Sequence, residues 1–356
     1  MIKKLIIIIL LIVLIGCTPD KEIDQITQFS TNNDGDYLLF HFIDPFETEG
    51  YILEINNSGQ VAKKHKIKDK LFAPSDVFYY EQNYYFASGA YSGDTKVVEY
   101  QPTKRKLSLI NTNQKKYIEK YYKDNVSDYI VTVMDKNDDN EFCDLQLNKC
   151  VKLFGEFRVH TVSTLENYIM VVAVDKSGER EVVKIKKYDR DLKFLNEITL
   201  NKVPNYFTYT SLDNKRLYLF MYDGDIVEID SSLNHKIHEL NLSEISSDIL
   251  RVKYNKNVVL NSKSILVDME IETITDKIHL LNKISFGKNV PKLEIIQSTV
   301  NEDILNIDYD ANEVYTRSYV NNKTVLTIRD TRLLGIKNKI TLDNSDQIYF
   351  IDNIND

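Results

Sequence analysis

The chain has 356 residues, of which 43% are hydrophobic and 11% aromatic, enough apolar material to bury a sizeable core, and this excludes a disordered stalk. Its formal net charge is −8, which disfavours nucleic acid as a partner because like charges repel within the screening length.

Read from its first residue, the chain opens with Lys3 and Lys4, then an unbroken apolar run from Leu5 to Ile15, then Gly16 and Cys17. That is the three-part layout of a secretory signal. The apolar run has eleven residues, whereas a helix needs about 20 to cross a bilayer core, so it is too short for a permanent span. The quartet Leu14-Ile15-Gly16-Cys17 resembles the lipobox of bacterial lipoproteins, a resemblance confined to the leader and the first mature residue. It implies cleavage before Cys17 and a diacylglyceryl thioether on that cysteine. The membrane would then be a partner through this lipid, on the extracytoplasmic side. Two acyl chains, each contributing about 0.8 kcal/mol per buried methylene, anchor stably. Losing Lys3 and Lys4 takes the net charge from −8 to −10. The expected organisation is a signal peptide over 1–16, a lipidated tether over 17–24 and one domain over 25–356, since no linker-like composition divides the rest.

Beyond the tether a unit recurs: an apolar strand, a turn with Asn or Asp, a second apolar strand, a looser turn, a third strand and a more polar fourth. The first turns are read at 32–36, 81–83, 124–125, 166–167, 213–214, 255–257 and 310–312. The second strands follow at Tyr37 to Ile43, Tyr84 to Ala87, Tyr129 to Met134, Tyr168 to Val174, Leu217 to Tyr222, Val258 to Leu260 and Val314 to Tyr319. They start 47, 45, 39, 49, 41 and 56 residues apart. A period in the forties with about four strands per unit is the arithmetic of a propeller blade. The expected fold is therefore all-β, a β-propeller of seven four-stranded blades, with six or eight as alternatives because the unit from 258 to 313 is long. A pair of β-sandwiches shares the alternation but lacks a reason for the regular spacing. With only 11 glycines and 6 prolines, the turns must rely on Asn, Asp and Ser. A surplus strand, Gln347 to Ile351, is expected to pair beside Tyr37 to Ile43 and close the ring, in competition with Ile26 to Phe29.

Cys143 and Cys150 flank a predicted hairpin turn near Gln146 to Asn148, so a disulfide and two buried thiols are both open readings. His235 and His238 are three apart, which on a strand points them to opposite faces and argues against a shared metal. Asp135 to Glu141 is rich in oxygen ligands, but Asn140 stands where a calcium loop needs Gly and Gln146 where it needs Glu. No nucleophile elbow, phosphate-cradling glycine loop or metal-ligand spacing is present, so no catalytic residue, cofactor or metal is assigned.

Asp recurs just before predicted innermost strands, as Asp76, Asp248, Asp303 and Asp346. Four carboxylates at one channel mouth would attract a cationic ligand, although Asp also caps tight turns. Two functions are therefore expected to compete: a noncatalytic binding or assembly module for a protein, peptide or cell-envelope ligand, and an extracytoplasmic hydrolase or lyase using Asp76, Asp248 and Asp303 as acid and base.

Overall fold

The computed structural model describes residues 21–31, 34–41, 50–68, 76–87, 96–112, 117–133, 140–153, 157–175, 181–287, 291–297, 301–342 and 348–354. They form seven antiparallel blades, each of which runs from an innermost strand at the axis to an outermost strand at the rim. Blade 1 joins Phe350–Asn353, Tyr37–His41, Gly50–Ile55 and Val61–Ile67 in that order. Blade 2 joins Asp76–Tyr80, Asn83–Ala87, Val97–Gln101 and Lys106–Ile110, and blade 3 joins Tyr117–Lys123, Asp128–Val133, Asn140–Asp144 and Lys149–Leu153. Blade 4 consists of Phe157–Leu165, Tyr168–Asp175, Val182–Tyr188 and Phe194–Leu200; blade 5 of Pro204–Thr210, Arg216–Met221, Ile226–Asp230 and His235–His238. Ile249–Asn261, Ser264–Thr273, Lys277–Ser285 and Lys292–Gln297 make blade 6, and Asp303–Asp308, Glu313–Val320, Lys323–Asp330 and Ile336–Leu342 make blade 7. The innermost strands adjoin from blade 2 round to blade 1, and blades 1 and 2 meet through Phe350 against Tyr84 and Phe86, which sets the sheets around a common axis. The fold is the seven-bladed propeller expected from the repeat.

The second strands are the most buried, because both faces of each blade pack on a neighbour. Met170, Val172, Leu217 and Leu219 of blades 4 and 5 share one such layer, and Phe40, Phe86, Tyr100 and Phe350 of blades 1 and 2 share another. In the latter, Phe350 meets Phe40 at 5.2 Å and Tyr84 at 4.6 Å, both edge to face, the arrangement aromatic quadrupoles favour.

Ring closure follows the expectation, shifted by a few residues. Phe350–Asn353 pairs antiparallel with Tyr37–His41, in the register Tyr37↔Asn353 to Phe40↔Phe350. The amide of Asn306 in blade 7 brackets Ile351: its Nδ2 donates to the Ile351 carbonyl at 2.8 Å, and its Oδ1 accepts the Ile351 N–H at 3.0 Å. Asn205 of blade 5 does the same to blade 6, donating to the Val252 carbonyl at 3.0 Å and accepting from the Tyr254 N–H. A buried amide thus satisfies backbone groups of the next innermost strand.

Two expectations are corrected. Ile26–Gln28 takes no part in closure; it is a single 3-10 turn whose Ile26, with Phe29, packs in the layer between blades 1 and 2. Just before it, Lys21–Ile23 adds a fifth, outermost strand to blade 1, parallel to Val61–Ile67, with Lys21 opposite His65 and Ile23 opposite Ile67. Residues 21–23 of the segment read as tether are therefore part of the described sheet. In blade 6 the supposed turn at 255–257 lies within the innermost strand, where a bulge between Tyr254 and Lys256 takes up the extra residue. The supposed second strand Val258 to Leu260 is the end of that first strand, and the true second strand is Ser264–Thr273.

Turn chemistry is only partly as expected. Asn148, Asn214, Asn312, Asn321 and Asn322 adopt positive φ, but so do Leu192, Leu233 and Leu334. These three leucines are buried in the turns before the outermost strands of blades 4, 5 and 7. In each turn a preceding aspartate, Asp189, Asp230 or Asp330, accepts backbone N–H groups from the residues ahead of it. The left-handed conformation costs a non-glycine residue roughly 1 kcal/mol, which core burial of the leucine offsets.

Candidate site on blade 6

The upper face of the ring is the one from which each innermost strand starts. At this face blade 6 is unusual in length: its first three strands have 13, 10 and 9 residues. Its innermost strand begins three residues before Val252, the level at which Asn205 of blade 5 clasps it.

Register places the polar residues of this extension in columns. Arg251 stands opposite Glu272 and Lys253 opposite Glu270; on the far side Glu272 stands opposite Lys277 and Glu270 opposite His279. Two residues below Glu270 on the same strand, Asp268 completes a central column of carboxylates, opposite Lys256. Alternation sends the intervening Val252, Tyr254, Met269 and Ile271 to the other face, into the core shared with blade 5. A cleft of about 200 Å³ opens over the charged face, lined by Arg251, Lys253, Glu270, Glu272 and Lys277.

Some of these charges are engaged. Glu270 receives Lys277 at 3.3 Å and His279 at 3.4 Å, and the Arg251 guanidinium lies 3.8 Å from the centre of the Tyr222 ring. Asn255 donates to Asp268 at 3.1 Å. Burial pushes the Asp268 carboxyl up to about 7, with Asp303 and Glu270 adding to the rise while Asn255 and Lys253 oppose it. Among the described residues, the side chains of Lys253 and Glu272 form no hydrogen bond or ion pair. They are diagonal neighbours across the strand pair, a separation on the order of 7–8 Å. The arrangement offers one cation and one carboxylate, each open to a ligand of opposite sign.

The acids singled out in the sequence fare differently. Asp303 lies beside this site and raises Asp268, but it is paired with Arg317 at 3.3 Å, whose guanidinium also donates to the Ile348 carbonyl at 2.6 Å. Asp248 is capped by the Ser246 hydroxyl. The side chain of Asp76, all of Asp346 and the segment 134–139 lie outside the described residues, as does Cys17. The structure brings Asp303 to Asp268, a residue that spacing and motifs did not single out. The available signal was period-two charge: Arg251 and Lys253, then Asp268, Glu270 and Glu272, then Lys277 and His279.

Away from this site, Cys143 and Cys150 face each other across the third and outermost strands of blade 3 and are joined in a disulfide. Glu141, Cys143 and Cys150 crowd together, but both sulfurs are used by this bond and are no ligands for a metal. His238 is buried against Glu228 at 2.8 Å, and His235 is exposed, so the two are not joined in a site.

The chain matches no protein-family model and no curated protein sequence. Among solved structures it is similar to a 6-phosphogluconolactonase-like protein from Bacteroides uniformis, at 11% identity and a TM-score of 0.52, covering 89% of this chain and 98% of that one. It is similar to a protein of unknown function from Desulfotomaculum acetoxidans, at 9% identity and a TM-score of 0.53, covering 88% and 98%. An ACO/RPE65 chimera gives 9% identity and a TM-score of 0.55, over 90% and 92%. At such identities these likenesses establish the propeller fold alone.

Proposed function

We propose that this chain is a lipid-anchored, extracytoplasmic β-propeller that acts as a noncatalytic binding or assembly module, and that the charged face of blade 6 holds its protein, peptide or cell-envelope ligand. The leader and Cys17 support the address. The observation that carries the binding role is the open pair Lys253 and Glu272 in a cleft on the tallest blade. A ligand with an ammonium near an acidic group, such as an extended peptide, meets both charges at once.

The test has two arms. Cys17→Ala moves the protein from the membrane to the soluble fraction or blocks its processing; unchanged retention and lipid labelling sink the address. For the site, the double change Lys253→Gln with Glu272→Gln removes both open charges, keeps the net charge of the face and sets no like charges opposite each other. It lowers photo-crosslinking of envelope components to a probe at Tyr222 by about tenfold, the equivalent of 1.4 kcal/mol, with an unchanged melting temperature. Undiminished crosslinking removes blade 6 from the function.

Asp268 favours a second reading, an extracytoplasmic hydrolase or lyase, since a carboxyl pushed up to about 7 exchanges its proton near neutrality. Turnover of envelope-derived substrate that Asp268→Asn abolishes establishes it; substrate binding with no turnover in either protein rejects it.

A further inference from the structure

The open pair of blade 6 is one part of a larger face. A bulge lies between Ile249 and Arg251, so Leu250 and Arg251 together oppose Glu272. Ile249, Val252 and Tyr254 pack toward blade 5, but Leu250 stays out of that core with 64% of its surface exposed. Ile274, two residues above Glu272 at the head of the hairpin, is 70% exposed. Ile249 pairs with Thr273, which makes Leu250 and Ile274 neighbours. Among the described large apolar side chains only Leu333 is more exposed than these two. They form an uncovered apolar lip above the charged cleft.

The geometry points to an extended peptide segment as the occupant of this face, with an apolar, a basic and an acidic side chain at alternate positions. The inference rests on the reading of blade 6 as the binding face.

Spacing and charge carry it together. Glu272 lies two residues below Ile274, and the next row down holds Lys253 opposite Glu270. Two strand residues rise about 6.8 Å, which is also the distance between alternate side chains of an extended ligand. The apolar residue of the ligand then covers Leu250 and Ile274, its basic residue meets Glu272 and its acidic residue meets Lys253. Arg251 is held on the Tyr222 ring, and Glu270 is occupied by Lys277 and His279, so neither disturbs that order. A small zwitterion satisfies the two charges but leaves the lip bare. A second copy of the chain brings a net charge of −8 against a molecule of the same sign.

The experiment titrates the full chain, in detergent, with two fluorescent peptides up to millimolar concentration: Ser-Leu-Ser-Lys-Ser-Glu-Ser and Ser-Leu-Ser-Glu-Ser-Lys-Ser, each labelled at its N-terminus and amidated at its C-terminus. The two share one composition, and reversing the direction of the chain does not convert one order into the other. The first binds about tenfold more tightly. Lys253→Gln with Glu272→Gln levels the two peptides. Leu250→Ser with Ile274→Ser weakens the first several-fold and, because both side chains are exposed, leaves the melting temperature unchanged. Equal affinity for the two orders, or no binding of either, overturns the inference; crosslinking at Tyr222 that still depends on Lys253 and Glu272 then leaves the reading of blade 6 standing. A preference that survives Lys253→Gln with Glu272→Gln overturns both. Affinity unmoved by Leu250→Ser with Ile274→Ser overturns the apolar position. Competition by free lysine, or by unlabelled copies of the chain, as strong as that of the first peptide overturns the peptide as occupant.

Discussion

Asp352 sits in the last strand of the ring, buried between blades, where the Tyr100 hydroxyl donates to it at 2.6 Å. Burial pushes its carboxyl up to about 7, helped by Asp308 and Asp310 and opposed by the Tyr100 hydrogen bond and Arg105. Arg105 itself donates to the Ile354 carbonyl. Between about pH 4 and 7 the unfolded chain has released this proton while the folded chain keeps it, so the group lowers stability as pH rises through that window. Above about pH 7 both forms are ionised and the loss is complete. Asp352→Asn removes the charge and keeps an acceptor for Tyr100. Denaturation at about pH 8 finds the variant more stable than the parent, by no more than about 4 kcal/mol, and at about pH 4 finds the two alike. The opposite order means that this aspartate is ionised without cost. Glu54 works in the other sense. Burial pushes its carboxyl up, but His65 at 2.6 Å and the Asp34 N–H at 3.0 Å hold it below its usual value, so its contribution is lost only as pH falls through that lowered value.

The recurring aspartate–leucine turn shows what an element can conceal from its sequence. Asp230 accepts the N–H groups of Ser232 at 2.9 Å and Asn234 at 3.0 Å, while Leu233 swings into the core with φ 64°. The Asp230 carboxyl is exposed enough to be solvated, so its value lies in satisfying the turn. Asp230→Ala strips the oxygen that accepts both N–H groups and lowers unfolding free energy by about 1–2 kcal/mol in urea melts; a change below a few tenths means that water replaces the carboxylate. Composition suggests Asn and Asp at left-handed positions, and the Asp residues are indeed present, but as acceptors. The left-handed residue is the leucine, since the core it reaches belongs to neighbouring strands that a local pattern does not display. Blade 6 departs from expectation for a related reason. Asn255-Lys256-Asn257 has the composition of a turn, yet a bulge absorbs it and the strand runs on to Asn261. Nothing within those three residues distinguishes a bulge from a reversal.

For the whole molecule, closure joins the two ends of the chain in one sheet. The last strand contributes Phe350 and Ile351 to two different interblade layers, and its partner Tyr37–His41 is fully buried. Truncation before Asp346 leaves that strand unpaired and both layers open, so the melting temperature drops by ten degrees or more, given several kcal/mol lost from two large apolar side chains. An unaltered melting temperature refutes closure by this segment. The seven blades, their all-β character and the closing role of the C-terminal segment were legible because each rests on spacing and alternation within the chain. Hairpin pairing is local, and a period in the forties leaves few other folds. The strand Lys21–Ile23, the amide clasps of Asn205 and Asn306, the burial of Asp268 and Asp352, and the open pair Lys253 and Glu272 were decided only by the tertiary structure. Each depends on which strand of another blade, or of a distant part of the chain, lies alongside, and a ring sets those neighbours through its geometry rather than through any pattern in the residues themselves.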